Sequence, residues 1–110
     1  MPSKLTLITI AASITLSGCS QKSIPLPSDN EISTAISQSD DFSTHKQAFI
    51  NASKILIGNG TCTLHDLQYM GGFVKSQEFA KSSPVYFTYC GKMDSEHKIY
   101  LDAEDVRIFK

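Results

Sequence analysis

The chain has 110 residues, a formal net charge of −1, and 41% hydrophobic and 9% aromatic residues. That length leaves room for one small domain, and the near-neutral charge with no basic face argues against nucleic acid as a partner. Three cysteines, at positions 19, 62 and 90, are the residues whose chemistry depends most on where the protein resides.

Lys4 precedes an apolar run from Leu5 to Leu16, which is followed by Ser17, Gly18 and Cys19. The apolar run of about 12 residues is short of the roughly 20 needed to span a bilayer, so it reads as a cleaved targeting segment. This order of positive, apolar and small residues before a cysteine resembles a bacterial lipoprotein signal peptide. Leu16-Ser17-Gly18-Cys19 is similar to its lipobox. The resemblance implies removal of residues 1–18 and lipidation of Cys19 by diacylglycerol and an N-acyl chain such as palmitate. Each buried methylene contributes about 0.8 kcal/mol, so several acyl chains give a firm membrane anchor. Ser20, where an aspartate would signal inner-membrane retention, points by the same resemblance to the outer membrane. The domain would then face the periplasm or the cell surface. The resemblance ends at Cys19, and residues 20–110 resemble no family.

Lipidation of Cys19 leaves Cys62 and Cys90, and an oxidising compartment favours a disulfide between them. Such a bridge closes a loop of about 28 residues, for which chain entropy predicts on the order of 3 kcal/mol. A mature chain of some 92 residues buries a limited core, so a staple of that size matters.

Residues 19–41 read as the lipidated amino terminus and a flexible tether, because Pro25, Pro27 and the polar run Ser37-Gln38-Ser39-Asp40-Asp41 offer little to bury. Within it, Ile32, Ala35 and Ile36 have helical spacing after Ser28 or Asp29. Residues 42–110 read as the globular domain. Its first strong helix runs from Thr44 to Ile57, with Ser43 as N-cap, Ala48, Phe49, Ala52, Ile55 and Leu56 as the apolar stripe, and Gly58-Asn59-Gly60 as terminator. A shorter helix spans Leu64 to Met70, capped by Thr63 with Asp66 three residues on, and ended by Gly71.

After Gly72 the apolar period shortens to two. Phe73-Val74 reads as a short strand or an extended segment, and Gln77–Ser83 as a polar loop. Val85–Cys90, His97–Asp102 and Val106–Phe109 form a three-stranded antiparallel meander, rich in β-branched and aromatic residues. The expected fold is therefore α+β: one or two N-terminal helices, a short second helix and the meander, stapled by one disulfide. Alternation places Val85, Phe87 and Tyr89 on one face of the first long strand, with Phe87 in the core. Tyr86 and Tyr100 then fall on the open face as a small patch fit for partner binding. The Val106–Phe109 edge could accept a partner strand.

Other chemistry finds less support. Cys62-x-x-His65 with Cys90 and His97 offers two thiolates and two imidazoles to zinc, but a disulfide would consume both thiolates. The expected cofactor and metal content is none. No serine stands in a nucleophile elbow, and no glycine loop matches a phosphate cradle. Asp66 with Glu78, and Asp94 with Glu96, read as solvated surface carboxylates. No catalytic residue is assigned, and the chain reads as non-enzymatic. What remains is a lipid-anchored accessory protein that contacts an envelope protein, as components of secretion or conjugation machines and exclusion factors do. The alternatives are a lipid-anchored inhibitor or immunity-type protein acting through Gln77–Ser83 or Gly91–Glu96, and a small-ligand or metal-binding protein.

Overall fold

The computed structural model describes residues 25–110, so the segment expected to be a signal peptide, Cys19 and the first residues after it lie outside the described residues. Three helices and four strands follow one another: α1 Asp29–Ala35, α2 Phe42–Gly58, α3 Leu64–Met70, β1 Val74–Lys75, β2 Val85–Tyr89, β3 Lys98–Asp102 and β4 Arg107–Phe109. The strands form one antiparallel sheet in the order β1-β2-β3-β4. The α+β class and the disulfide are as expected, with one strand more than the predicted meander.

Helix α1 is opened by a capping box in which Ser28 Oγ accepts from Glu31 N at 3.1 Å and Glu31 Oε1 accepts from Ser28 N at 2.9 Å. Its Ile32 and the following Ile36 are fully buried in the same core cluster as Phe49 and Leu101. The folded unit therefore begins before residue 42, which corrects the tether reading for residues 29–41. The apolar stripe was visible in the sequence; its partner surface, assembled from later elements, was not.

Helix α2 starts at Phe42 rather than Thr44. Asp41, in left-handed backbone at φ 55°, precedes it, and its side chain makes no cap. The carboxylate is engaged elsewhere, accepting the Tyr86 hydroxyl at 2.6 Å. Helix α3 has the bounds the sequence marks: Thr63 Oγ1 accepts from Asp66 N at 3.0 Å, Asp66 Oδ2 accepts from Thr63 N at 2.9 Å, and Gly71 ends it at φ 81°.

The extra strand, β1, pairs Val74 with Phe87 and Lys75 with Tyr86. Its outer edge is occupied by the segment before α2. Asp40 N donates to Phe73 O at 2.9 Å, Lys75 N to Asp40 Oδ2 at 2.8 Å, and Phe73 N to Ser39 Oγ at 2.9 Å. Ser39 Oγ in turn donates to Ile36 O at 2.6 Å. A strand of two residues has no readable period, so only these tertiary bonds define it. At the other side, β3 starts at Lys98 because Ser95–His97 forms a 3-10 turn capped by Asp94. Strand β4 starts at Arg107 because Val106 takes a left-handed φ of 55°.

The core lies between the helices and one face of the sheet. Phe49 stacks on Phe73 with ring centroids 5.1 Å apart and meets Tyr86 edge-on at 5.0 Å. The face of β2 is opposite to the one expected: Tyr86, Thr88 and Cys90 point into the core at 1%, 0% and 3% exposure. Phe87 is only half-buried. The Cys62–Cys90 disulfide, with Cα atoms 5.2 Å apart, explains the inversion. Cys62 precedes α3 on the helical side, so Cys90 must face that side, and alternation carries Thr88 and Tyr86 with it. Burial and the hydrogen bond to Asp41 together push the Tyr86 phenol well above its usual pKa. The inversion has a cost, since Thr88 Oγ1 is buried without a hydrogen-bond partner among the described residues.

Two substitutions test this account. At Gly72, φ is +123° and an added Cβ would clash with Ser39 Oγ and stand 2.7 Å from Ile36 O. Gly72→Ala should lower unfolding free energy by about 3 kcal/mol or more in chemical denaturation, whereas Ser39→Ala should cost about 1–2 kcal/mol through the orphaned Phe73 N–H. Cys62→Ser and Cys90→Ser should each destabilise by about 3 kcal/mol, and the double variant should be no worse than either.

Candidate functional site

All three helices pack on one face of the sheet, which leaves the other uncovered among the described residues. Residues paired directly across antiparallel strands share a face. The registers Val74–Phe87, Phe87–Tyr100 and Tyr100–Phe109 therefore set these four side chains in one row across the open face. Tyr100 and Phe109 stack at 5.3 Å with rings 15° from parallel. Phe79, from the loop between β1 and β2, meets them edge-on at 5.7 and 6.0 Å. Phe87 contacts Tyr89 edge-on at 5.7 Å, which extends the aromatic surface toward the end of β2.

Cations lie over this surface. Lys98 Nζ is 4.4 Å from the Phe87 ring centroid and 5.0 Å from that of Tyr100. The Arg107 guanidinium is 4.7 Å from Phe109. Such pairs are worth about 0.5–1 kcal/mol at exposed sites. Glu78 ties the group together by accepting the Tyr100 hydroxyl and standing 3.7 Å from Lys98 Nζ. Hydrogen bonding with Tyr100 is the main cause that raises the Lys98 pKa, with partial burial opposing it. The surface thus combines flat apolar area with polar tips that are already paired locally.

Beside it lies a cavity of about 360 Å³ between α3 and the β2–β3 turn. His65, Tyr69 and Met70 line it from α3, and Tyr89 and Met93 from the sheet end. Tyr69 and Met93 are exposed by 75% and 65%, the largest apolar exposures among the described residues. Tyr89 belongs to both the aromatic row and the cavity wall, so the two features are continuous.

The sequence-predicted sites sort unevenly against this geometry. Tyr100 is on the open face as expected. Tyr86 is not: it pairs with Leu101, which is fully buried, and faces the core with it. Phe79, in the loop, is the surface residue that sequence reasoning missed, while Phe87 and Tyr89 lie on the strand face that was expected to turn inward. The signal that would have found them is Cys90 parity, which assigns every other side chain of β2 once the disulfide is granted. Cys62 and Cys90 are bonded to each other, so neither can act as a thiolate ligand beside His65 or His97. Among the described residues, no group of three or more His, Cys, Asp or Glu side chains is placed to hold a metal ion.

His97 Nδ1 stands 2.6 Å from Asp94 Oδ1, and this contact holds the Asp94 carboxyl below its usual range. The pair is half-exposed to solvent and also closes the turn, since Asp94 Oδ1 accepts from His97 N at 3.0 Å. Ser76, just after β1, is buried and accepts from Glu78 N at 3.1 Å. Among the described residues, no helix is long and apolar enough to cross a membrane. In comparisons with known proteins, the chain matches no protein-family model, no curated protein and no solved structure.

Proposed function

We propose that this chain is a lipid-anchored protein of the bacterial envelope that works by contacting another protein rather than by catalysis. The observation that supports the contact is the row Val74–Phe87–Tyr100–Phe109 on the uncovered face of the sheet. Aromatic side chains with polar tips are enriched where proteins meet, because they bury large areas at low entropy cost. Sheet edges differ in the same sense. The β1 edge is capped by Ser39 and Asp40, whereas β4 has no further strand beside it in the sheet. A partner could therefore rest on the face and add backbone pairing at β4.

The anchor rests on the lipobox resemblance at Leu16–Cys19. It holds the domain at the outer membrane, facing the periplasm or the cell surface, and sets the partner class as an envelope protein. Secretion or conjugation machinery and exclusion factors are the assemblies whose small lipoprotein components this build resembles. A second reading, an inhibitor or immunity-type protein, draws support from Phe79: the loop presents it 39% exposed beside the aromatic row, where it could enter a partner's cleft.

Cys19→Ala should abolish lipid attachment, so the protein should leave the detergent phase in phase partitioning or accumulate unprocessed. Continued retention in the detergent phase would contradict the anchor. A photo-cross-linker in place of Phe87 or Tyr100 should capture one dominant envelope protein in cells, while one at the exposed Gln47 on α2 should not. Tyr100→Ala combined with Phe109→Ala should weaken that capture at least about tenfold and lower stability by only about 1–2 kcal/mol. Equal capture from both faces would contradict the assignment of the aromatic row.

A further inference from the structure

Both methionines among the described residues, Met70 and Met93, line the cavity between α3 and the β2–β3 turn, with His65 on the same wall. We propose that this cavity binds a soft monovalent cation, Cu(I), through the two thioethers and the His65 imidazole. Thioether sulfur is a poor ligand for hard cations such as Mg²⁺ or Ca²⁺, but a good one for Cu(I), and imidazole accepts copper as well. A filled d shell imposes little geometric preference, so two or three ligands from a shallow wall suffice.

The fold supplies the ligands unequally. His65 and Met70 are carried by α3, whose ends are fixed by the Thr63–Asp66 capping box and by Gly71. Met93 comes from the turn after β2 and is 65% exposed, so its unbranched side chain is free to swing onto a bound ion. Tyr69, Tyr89, Asp66 and Lys92 stand on the same walls, so one carboxylate and one ammonium flank the site. The nearby cysteines do not compete, because Cys62 and Cys90 are bonded to each other. The site thus differs in ligand chemistry from the two-thiolate, two-imidazole set that the sequence suggested for zinc. It is also independent of whether the sheet face contacts a protein.

The test is a competition titration of the full chain in detergent, with the disulfide intact and Cu(I) supplied as its bicinchoninate complex. The protein should withdraw one equivalent of Cu(I). The chain contains no tryptophan, so its tyrosine fluorescence should change in step. Met70→Leu and Met93→Leu conserve volume, and each should weaken binding about tenfold or more. Met93→Leu alters only an exposed turn, which keeps the test informative if Met70→Leu does not fold. Equimolar Zn²⁺ should not displace Cu(I). The proposal is overturned if no Cu(I) is withdrawn, if Met93→Leu binds as tightly as the wild type, if Zn²⁺ competes equally, or if binding requires prior reduction of the disulfide.

Discussion

The structure depends on one close approach: Gly72 against the turn that joins α1 to α2. Only a residue without a Cβ can sit there, because the Ser39 hydroxyl and the Ile36 carbonyl occupy the space a side chain would need. That approach lets Ser39 accept the Phe73 amide and lets Asp40 pair with both Phe73 and Lys75. The result is a seam of hydrogen bonds between the helical layer and the first edge of the sheet. It sets the depth at which Phe73 enters the core, where it stacks on Phe49. It also blunts one of the two sheet edges, a protection that short strands often need.

The disulfide acts on a second degree of freedom, the rotation of the sheet about its strands. By bringing Cys90 to the helical side it chooses which of two alternating sets of side chains is buried. A strand such as Val-Tyr-Phe-Thr-Tyr-Cys is apolar enough on both faces for either choice to bury comparable area. The covalent constraint decides, and it buries Tyr86 and Thr88 rather than Phe87 and Tyr89. Tyr86 is satisfied by Asp41; Thr88 Oγ1 is left unpaired. The same choice turns the half-buried aromatic set toward the open face, so the bridge that stabilises the fold also makes that face aromatic.

That surface and the adjoining cavity form a continuous region, from Phe109 at one edge through Tyr89 to Tyr69 and Met93. Its rings are already braced by Phe79, Lys98 and Glu78, so little side-chain freedom remains to be lost on contact. Preorganisation of this kind suits a recognition surface. The helical side exposes Ile55 and Leu26 singly, while Ile32, Ile36, Phe49 and Leu56 are spent on the core.

Much of this protein was legible in its sequence wherever the signal was local. Capping residues and glycines marked α3 to the residue, helical spacing marked α2, and β-branched and aromatic runs marked the three longer strands, because each of these rests on bonds within a few positions. The pairing of Cys62 with Cys90 was expected once the lipobox resemblance set Cys19 aside, and the disulfide is present. Strand β1 and the inclusion of residues 29–41 in the core were decided only by tertiary structure, since both depend on the pairing of Ser39 and Asp40 with residues 73–75, more than 30 positions away. The burial of Tyr86 in place of Phe87 belongs with them. Local alternation defines two faces but cannot say which one meets the helices; a covalent bond across the layers does.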